Sequence, residues 1–177
     1  MMKTKLILSI TTFLLLGWIV TSCNQVAQNN VVTNEEQVIL KDYGAEPTVL
    51  DIEAYTLSND NFRVALWTGT QFQVTLMSIP VGGEIGLEVH PDTDQFLRIE
   101  DGQAQVMMGD DKESLTFIKT ANTDFAIFVP AGKWHNLINT GTVPLKIYSI
   151  YSPAEHPHST VHKTFEEAEE AEHEHHH

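Results

Sequence analysis

Glu88 and His90 stand two residues apart in the run Gly82 to Gly102, GGEIGLEVHPDTDQFLRIEDG. On an extended strand, residues two apart share a face, so this carboxylate and this imidazole would point the same way. Gln95 follows past a Pro91-Asp92-Thr93-Asp94 turn, which reverses the chain and brings an amide oxygen alongside from the next strand. Asp92 and Asp94 belong to that turn and read as turn formers. Further on, Pro130-Ala131-Gly132-Lys133-Trp134-His135 supplies a second imidazole at His135. Two imidazoles, one carboxylate and one amide oxygen suit a divalent first-row metal, Mn, Fe, Ni or Zn. Such a set leaves coordination positions open for water or substrate, as a catalytic site needs. The competing structural account makes His90 and Gln95 a satisfied polar pair.

These four residues need strands to present them. From about Val38 onward the chain is a succession of short β-rich runs, at residues 49–55, 62–68, 71–79, 85–90, 95–100, 103–108, 113–119, 125–129, 135–139 and 145–151. Turn signals such as Ser58-Asn59-Asp60-Asn61, Pro80-Val81-Gly82-Gly83 and Gly109-Asp110-Asp111 separate them. Many short strands at regular spacing predict an all-β sandwich or barrel, and closure removes exposed edges. Beyond it, residues 152–160 read as an irregular linker, and His156, His158 and His162 are read as surface residues, with lining of a barrel mouth as the alternative. Thr164-Phe165-Glu166-Glu167 fits a capping box and opens a short acidic helix that ends in His173, His175, His176 and His177.

The two donor-bearing stretches resemble the paired motifs of the cupin superfamily. Gly82, Glu88, His90, Gln95 and Gly102 keep the spacing of the first motif, with Glu88 where a histidine is usual and Gln95 at the glutamate position. Pro130, Gly132, His135 and Asn139 match the second motif, with Asp124 in place of its leading glycine. The resemblance covers roughly residues 60 to 151. It implies a single double-stranded β-helix, or jelly-roll barrel, over residues 38–155, with a linker and acidic His-rich tail over 156–177. It also implies a metal held by Glu88, His90, Gln95 and His135. The implied activity is that of small cupins of the phosphomannose isomerase-like group: metal Lewis-acid isomerisation of a small sugar- or oxo-acid-like molecule. Two alternatives stay open, a metal-dependent dioxygenase and a non-catalytic ligand- or metal-binding or sensing protein. Tyr148, Tyr151 and Glu100 are candidate bases by their expected nearness to the site. A homodimer paired through edge strands is a further implication of the family.

The chain of 177 residues accommodates one such domain. It carries 10 Lys and Arg against 24 Asp and Glu, a formal charge of −14, with no basic stripe to meet a phosphate backbone; nucleic acid is therefore excluded as a partner. Residues 1–22 read as an export signal, with Lys3 and Lys5 before an apolar run from Leu6 to Val20. Val20-Thr21-Ser22-Cys23 resembles a bacterial lipobox, which implies cleavage before Cys23 and its lipidation. Residues 23–37 would then form a flexible tether holding the domain at the cell envelope, on its periplasmic or extracellular face. Cys23 is the only cysteine, so no intramolecular disulfide supports the fold.

Overall fold

The computed structural model of the protein describes residues 37–175, with side chains as far as Glu172. The expected signal segment, Cys23 and the terminal His176 and His177 lie outside the described residues.

Among the described residues, nine strands form two antiparallel sheets. β1 (Arg63–Thr68), β2 (Gln73–Ile79), β3 (Asp94–Asp101), β6 (Ala126–Val129), β8 (Leu145–Ser152) and β9 (Val161–His162) make the larger sheet, in the order β6-β3-β8-β2-β1-β9. β4 (Gln103–Gly109), β5 (Phe117–Asn122) and β7 (Trp134–Asn139) make the smaller one, in the order β5-β4-β7. Alternate residues of both sheets fill a shared apolar core. Met77, Leu97, Ile99 and Ile147 come from one side, and Ala104, Val106 and Leu137 from the other, all essentially inaccessible to solvent. This is the jelly-roll barrel that the family resemblance implies, within the sandwich or barrel class that the strand pattern predicts.

Register sorts the interior into rungs. Gln73, Tyr151, Gln95 and Val129 pair across β2, β8, β3 and β6, so their side chains share the inner face. The next rung down pairs Thr75, Ser149, Leu97 and Ile127, and the one below pairs Met77, Ile147 and Ile99. The barrel is thus polar toward one end and apolar toward the other.

Several elements depart from the expected pattern. Residues 49–55 do not form a strand. The Asp51 carboxylate accepts the Ala54 N–H at 3.1 Å and caps a helix, α1 (Ile52–Ser58), with Glu53 in its first turn. This helix covers the outer face of the large sheet through Tyr55, Leu66 and Leu76. The strand expected at 113–119 begins at Phe117 instead, because Asp111 turns the chain by accepting the N–H groups of Glu113 and Ser114. Residues 85–90 make isolated bridges beside β7 rather than a regular strand. Gly86, at φ +96°, breaks the extended run in a conformation that disfavours a side chain. The 152–160 linker leads into β9, which pairs with β1, and the acidic tail folds as α2 (Phe165–His175). Thr164 Oγ1 accepts the Glu167 N–H at 3.3 Å as its cap, while Glu167 reaches back to the Lys163 N–H. Phe165 and Ala168 seat this helix on the core, with Phe165 edge-on to Phe62 at 5.5 Å and over Gly86.

Candidate metal centre

Glu88 and His135 face each other across the bridge between the 83–90 segment and β7, exchanging both backbone hydrogen bonds at 2.9 and 3.0 Å. Their side chains therefore emerge on one face. The Pro130–Gly132 turn feeds β7 and also holds the other wall, because the Gly132 N–H donates to the His90 carbonyl at 2.8 Å. Gly132 sits at φ +76°, which suits a residue without Cβ. Asp94 ties the same turn by accepting the Ala131 N–H at 2.9 Å, a structural role consistent with turn formation.

Glu88 Oε1 lies 3.4 Å from His90 Nε2 and 3.2 Å from His135 Nε2, and the three donor atoms fall within 4.8 Å of one another. Each imidazole is aimed by a bond at its other nitrogen. His135 Nδ1–H donates to the Lys133 carbonyl at 3.0 Å, and His90 Nδ1 meets Glu155 Oε1 at 3.1 Å. Both Nε2 atoms then point inward, where they are buried and make no aligned hydrogen bond. Buried polar atoms are rarely left so, and a divalent cation would satisfy all three donors at once. The residues present fit a metal ion.

Charges at this point are strongly coupled. Burial raises the Glu88 carboxyl, yet the imidazoles of His135 and His90 and the charge of Arg63 more than reverse that and hold it well below the usual range. Burial lowers His90, but the carboxylates of Glu155 and Glu88 outweigh it and raise its pKa to about 9. The metal-free site therefore holds a proton on His90 that an entering cation must displace.

Gln95 occupies the inner face of β3 one rung from Leu97, with both amide atoms buried and without a hydrogen-bond partner. It pairs in register with Tyr151, whose ring stands edge-on to His90 at 5.6 Å. Of the three candidate bases, only Tyr151 belongs to this site. Tyr148 points to the opposite face of β8, beside Phe96 at 6.1 Å and under α1, and Glu100 pairs with Arg98 at 2.5 Å on the outer face of β3. Strand parity, read with its bulge at Ile99/Asp101, separates them from the interior. Burial raises the Tyr151 hydroxyl far above its ordinary value, so it keeps its proton and can serve as a hydrogen-bond donor rather than a base.

A cavity of about 530 Å³ opens beside Glu88 and His90, lined by Trp134, Glu155, His156, His162, Ala171 and Glu172 among others. His156 and His162 are thus wall residues, the barrel-mouth alternative and not the surface position. Gln73 carries His156 inward by accepting its N–H at 3.0 Å and donating to its carbonyl at 2.9 Å, a bridge made by a side chain. His158 does stay outside, near Asp42. Burial and the charge of Arg63 lower His156 to about 3, so its imidazole is neutral. Glu155 and Arg63 carried no motif or periodic signal; only the fold brings them here.

The fold and this donor set define a cupin, and residues 75–151 match the family model for the cupin domain. The chain belongs to the cupin superfamily. It is 55% identical over 138 residues to YrkC, an uncharacterized protein of Bacillus subtilis (strain 168), spanning 78% of this chain and 74% of that one. The crystal structure of BH2720 from Bacillus halodurans is similar at 54% identity and a TM-score of 0.73, over 73% of this chain and 98% of that one. A shorter match, 32% identical over 84 residues, joins 48% of this chain to 16% of AlgA, an alginate biosynthesis protein of Pseudomonas aeruginosa.

Proposed function

We propose that this protein is a metal-dependent cupin that isomerises a small oxygen-rich molecule of the sugar or oxo-acid type, anchored at the cell envelope through Cys23. One observation carries the reading: Glu88 Oε1 lies between two buried, inward-facing Nε2 atoms without aligned partners. Glu88, His90 and His135 would hold the metal, with the Gln95 amide as a neutral fourth donor. A bound divalent ion would supply Lewis acidity to the oxygens of a hydroxy-carbonyl ligand. Around it, Glu155 and the Lys133 carbonyl aim the imidazoles. Tyr151 keeps its proton and can donate a hydrogen bond to a ligand oxygen, and neutral His156 can accept a hydrogen bond from a ligand hydroxyl. The similarity to part of an alginate biosynthesis protein supports carbohydrate chemistry, since alginate is a polymer of uronic acids. The anchor rests on the sequence Val20-Thr21-Ser22-Cys23.

Metal content after reconstitution and gel filtration tests the site, comparing the wild type with a Glu88→Gln/His135→Ala double variant. The difference isolates this site from the C-terminal histidines. About one equivalent is expected, and a difference under about a tenth of an equivalent would overturn the reading. Assays on keto-sugars and uronates, with oxygen uptake followed in parallel, then distinguish isomerisation from dioxygenation. Silence in both, with ligand-raised Tm, would make it a binding protein. Labelling with radioactive palmitate, lost in Cys23→Ala, tests the anchor.

A further inference from the structure

Arg63 is a cation built into the barrel wall. It pairs in register with Met77 on one side and His162 on the other. Cross-strand partners share a face, so its side chain lies on the interior face with a core methionine and a cavity-lining histidine. Only 1% of Arg63 is exposed. Burying a guanidinium is costly unless each donor finds an acceptor. Yet among the described residues its guanidinium makes a single hydrogen bond, from Nη1 to Glu172 Oε1 at 3.0 Å, lies over the Phe62 ring at 5.6 Å, and buries its Nε without a partner. Thr75, diagonal to Arg63 in the same interior, likewise buries an unpartnered hydroxyl.

Glu172 is an unusual partner for such a cation. Its side chain is 41% exposed, lines the cavity and comes from the third turn of α2. The first turns of that helix are seated by Phe165 and Ala168 in the core. The end that borders the cavity is tied by the Glu172 carboxylate on Arg63. A half-solvated carboxylate thus occupies one branch of a buried two-point donor. Guanidinium presents carboxylates with a fork, so an arriving carboxylate bonded through Nε and a second nitrogen would make the better pair.

We infer that Arg63 is the anion-recognition group of this pocket, that the ligand carries a carboxylate in addition to its metal-facing oxygens, and that Glu172 is a built-in stand-in which the ligand's carboxylate replaces. This inference rests on the pocket being the ligand site and narrows its ligand to acids, such as dicarboxylates or uronates. Neutral sugars would leave Arg63 with Glu172 alone.

The test uses malonate and malonamide, which match in size and differ in charge, titrated calorimetrically into the metal-free protein, full-length from Cys23. Wild type is expected to bind malonate at least about tenfold more tightly than malonamide, the scale of one charge-assisted hydrogen-bonded pair. Arg63→Gln should erase that preference. Glu172→Gln should tighten malonate about threefold or more and leave malonamide unchanged, because the competing carboxylate is gone. Equal binding of the two probes, a preference that survives Arg63→Gln, or a Glu172→Gln protein with lower Tm and unaltered malonate affinity would overturn the inference. The last result would mean that the pair only pins α2. Manganese uptake, measured on the same samples, separates the two readings. Malonate preference without metal uptake removes the metal site and keeps the anion site; uptake without preference does the reverse. Equal uptake by wild type and Arg63→Gln shows that the variant is folded.

Discussion

Replacing Glu155 with alanine removes the carboxylate that aims His90. The contact, Nδ1 to Oε1 at 3.1 Å, joins a His90 side chain 9% exposed to a Glu155 side chain 29% exposed. A hydrogen bond to a charged group contributes about 1.5–3 kcal/mol, and the partial exposure of Glu155 places it near the lower end. At about 1.4 kcal/mol per decade, metal affinity should fall about 10–30-fold, within the range for lost outer partners of ligating histidines. A second effect opposes the first. Glu155 also stabilises the proton on metal-free His90, whose pKa is raised to about 9, so its removal eases displacement of that proton. Below that pKa the two effects offset; above it the proton is already gone and only the loss remains. Zinc affinity by chelator competition should therefore drop by the full factor at about pH 9.5 and by less at about pH 7. Glu155→Gln keeps an acceptor and should fall between. Unchanged affinity at the higher pH would refute the assignment of Glu155 as a positioning residue, and an equal loss at both would refute the opposing effect of the proton on metal-free His90.

Glu88→Gln removes the one anionic donor and should weaken metal at least about a hundredfold while far-UV circular dichroism stays unchanged, since the core beneath is apolar. Asn139→Ala should lower stability by about 2–4 kcal/mol in urea unfolding, because the Asn139 amide, 1% exposed, donates to the Ile79 and Val143 carbonyls and accepts the Gly141 N–H, all at 2.9 Å. Asp42 accepts from Gly44 N, Thr68 N, Thr68 Oγ1 and Ser159 N at 2.6–3.0 Å. Burial raises its carboxyl, but those bonds and nearby His158 bring it below the usual range. A depressed carboxyl stabilises the fold above its unfolded pKa and ceases to do so as pH falls through the folded one. Asp42→Asn should thus cost about 1–3 kcal/mol at neutral pH, and the gap to wild type should close in acid, below about pH 4.

The donor residues were legible because their order is local. Glycine-bounded turns and alternation over two short stretches placed Glu88, His90 and His135 on strands or their margins, and the structure gathers those three. Gln95 was legible as an inward-facing residue of β3. The strand pattern likewise carried the barrel, since period-two burial is a property of neighbours along the chain. What failed was decided by contacts distant in sequence or by single hydrogen bonds. One Asp51 cap turned an expected strand into α1. A side-chain bridge from Gln73 drew the His156 backbone to the barrel and made His156 a cavity wall. Two of three candidate bases were lost to strand parity and a bulge.

By itself, the amino-acid sequence determined which donors exist and that a β-barrel would present them, because residue type and short spacing control side-chain direction on strands. Only the tertiary structure decided what surrounds them. Glu155 aiming His90, and Arg63 buried beneath Glu172, bring together residues 65 and 109 positions apart, and no periodicity within the chain encodes a meeting at that range.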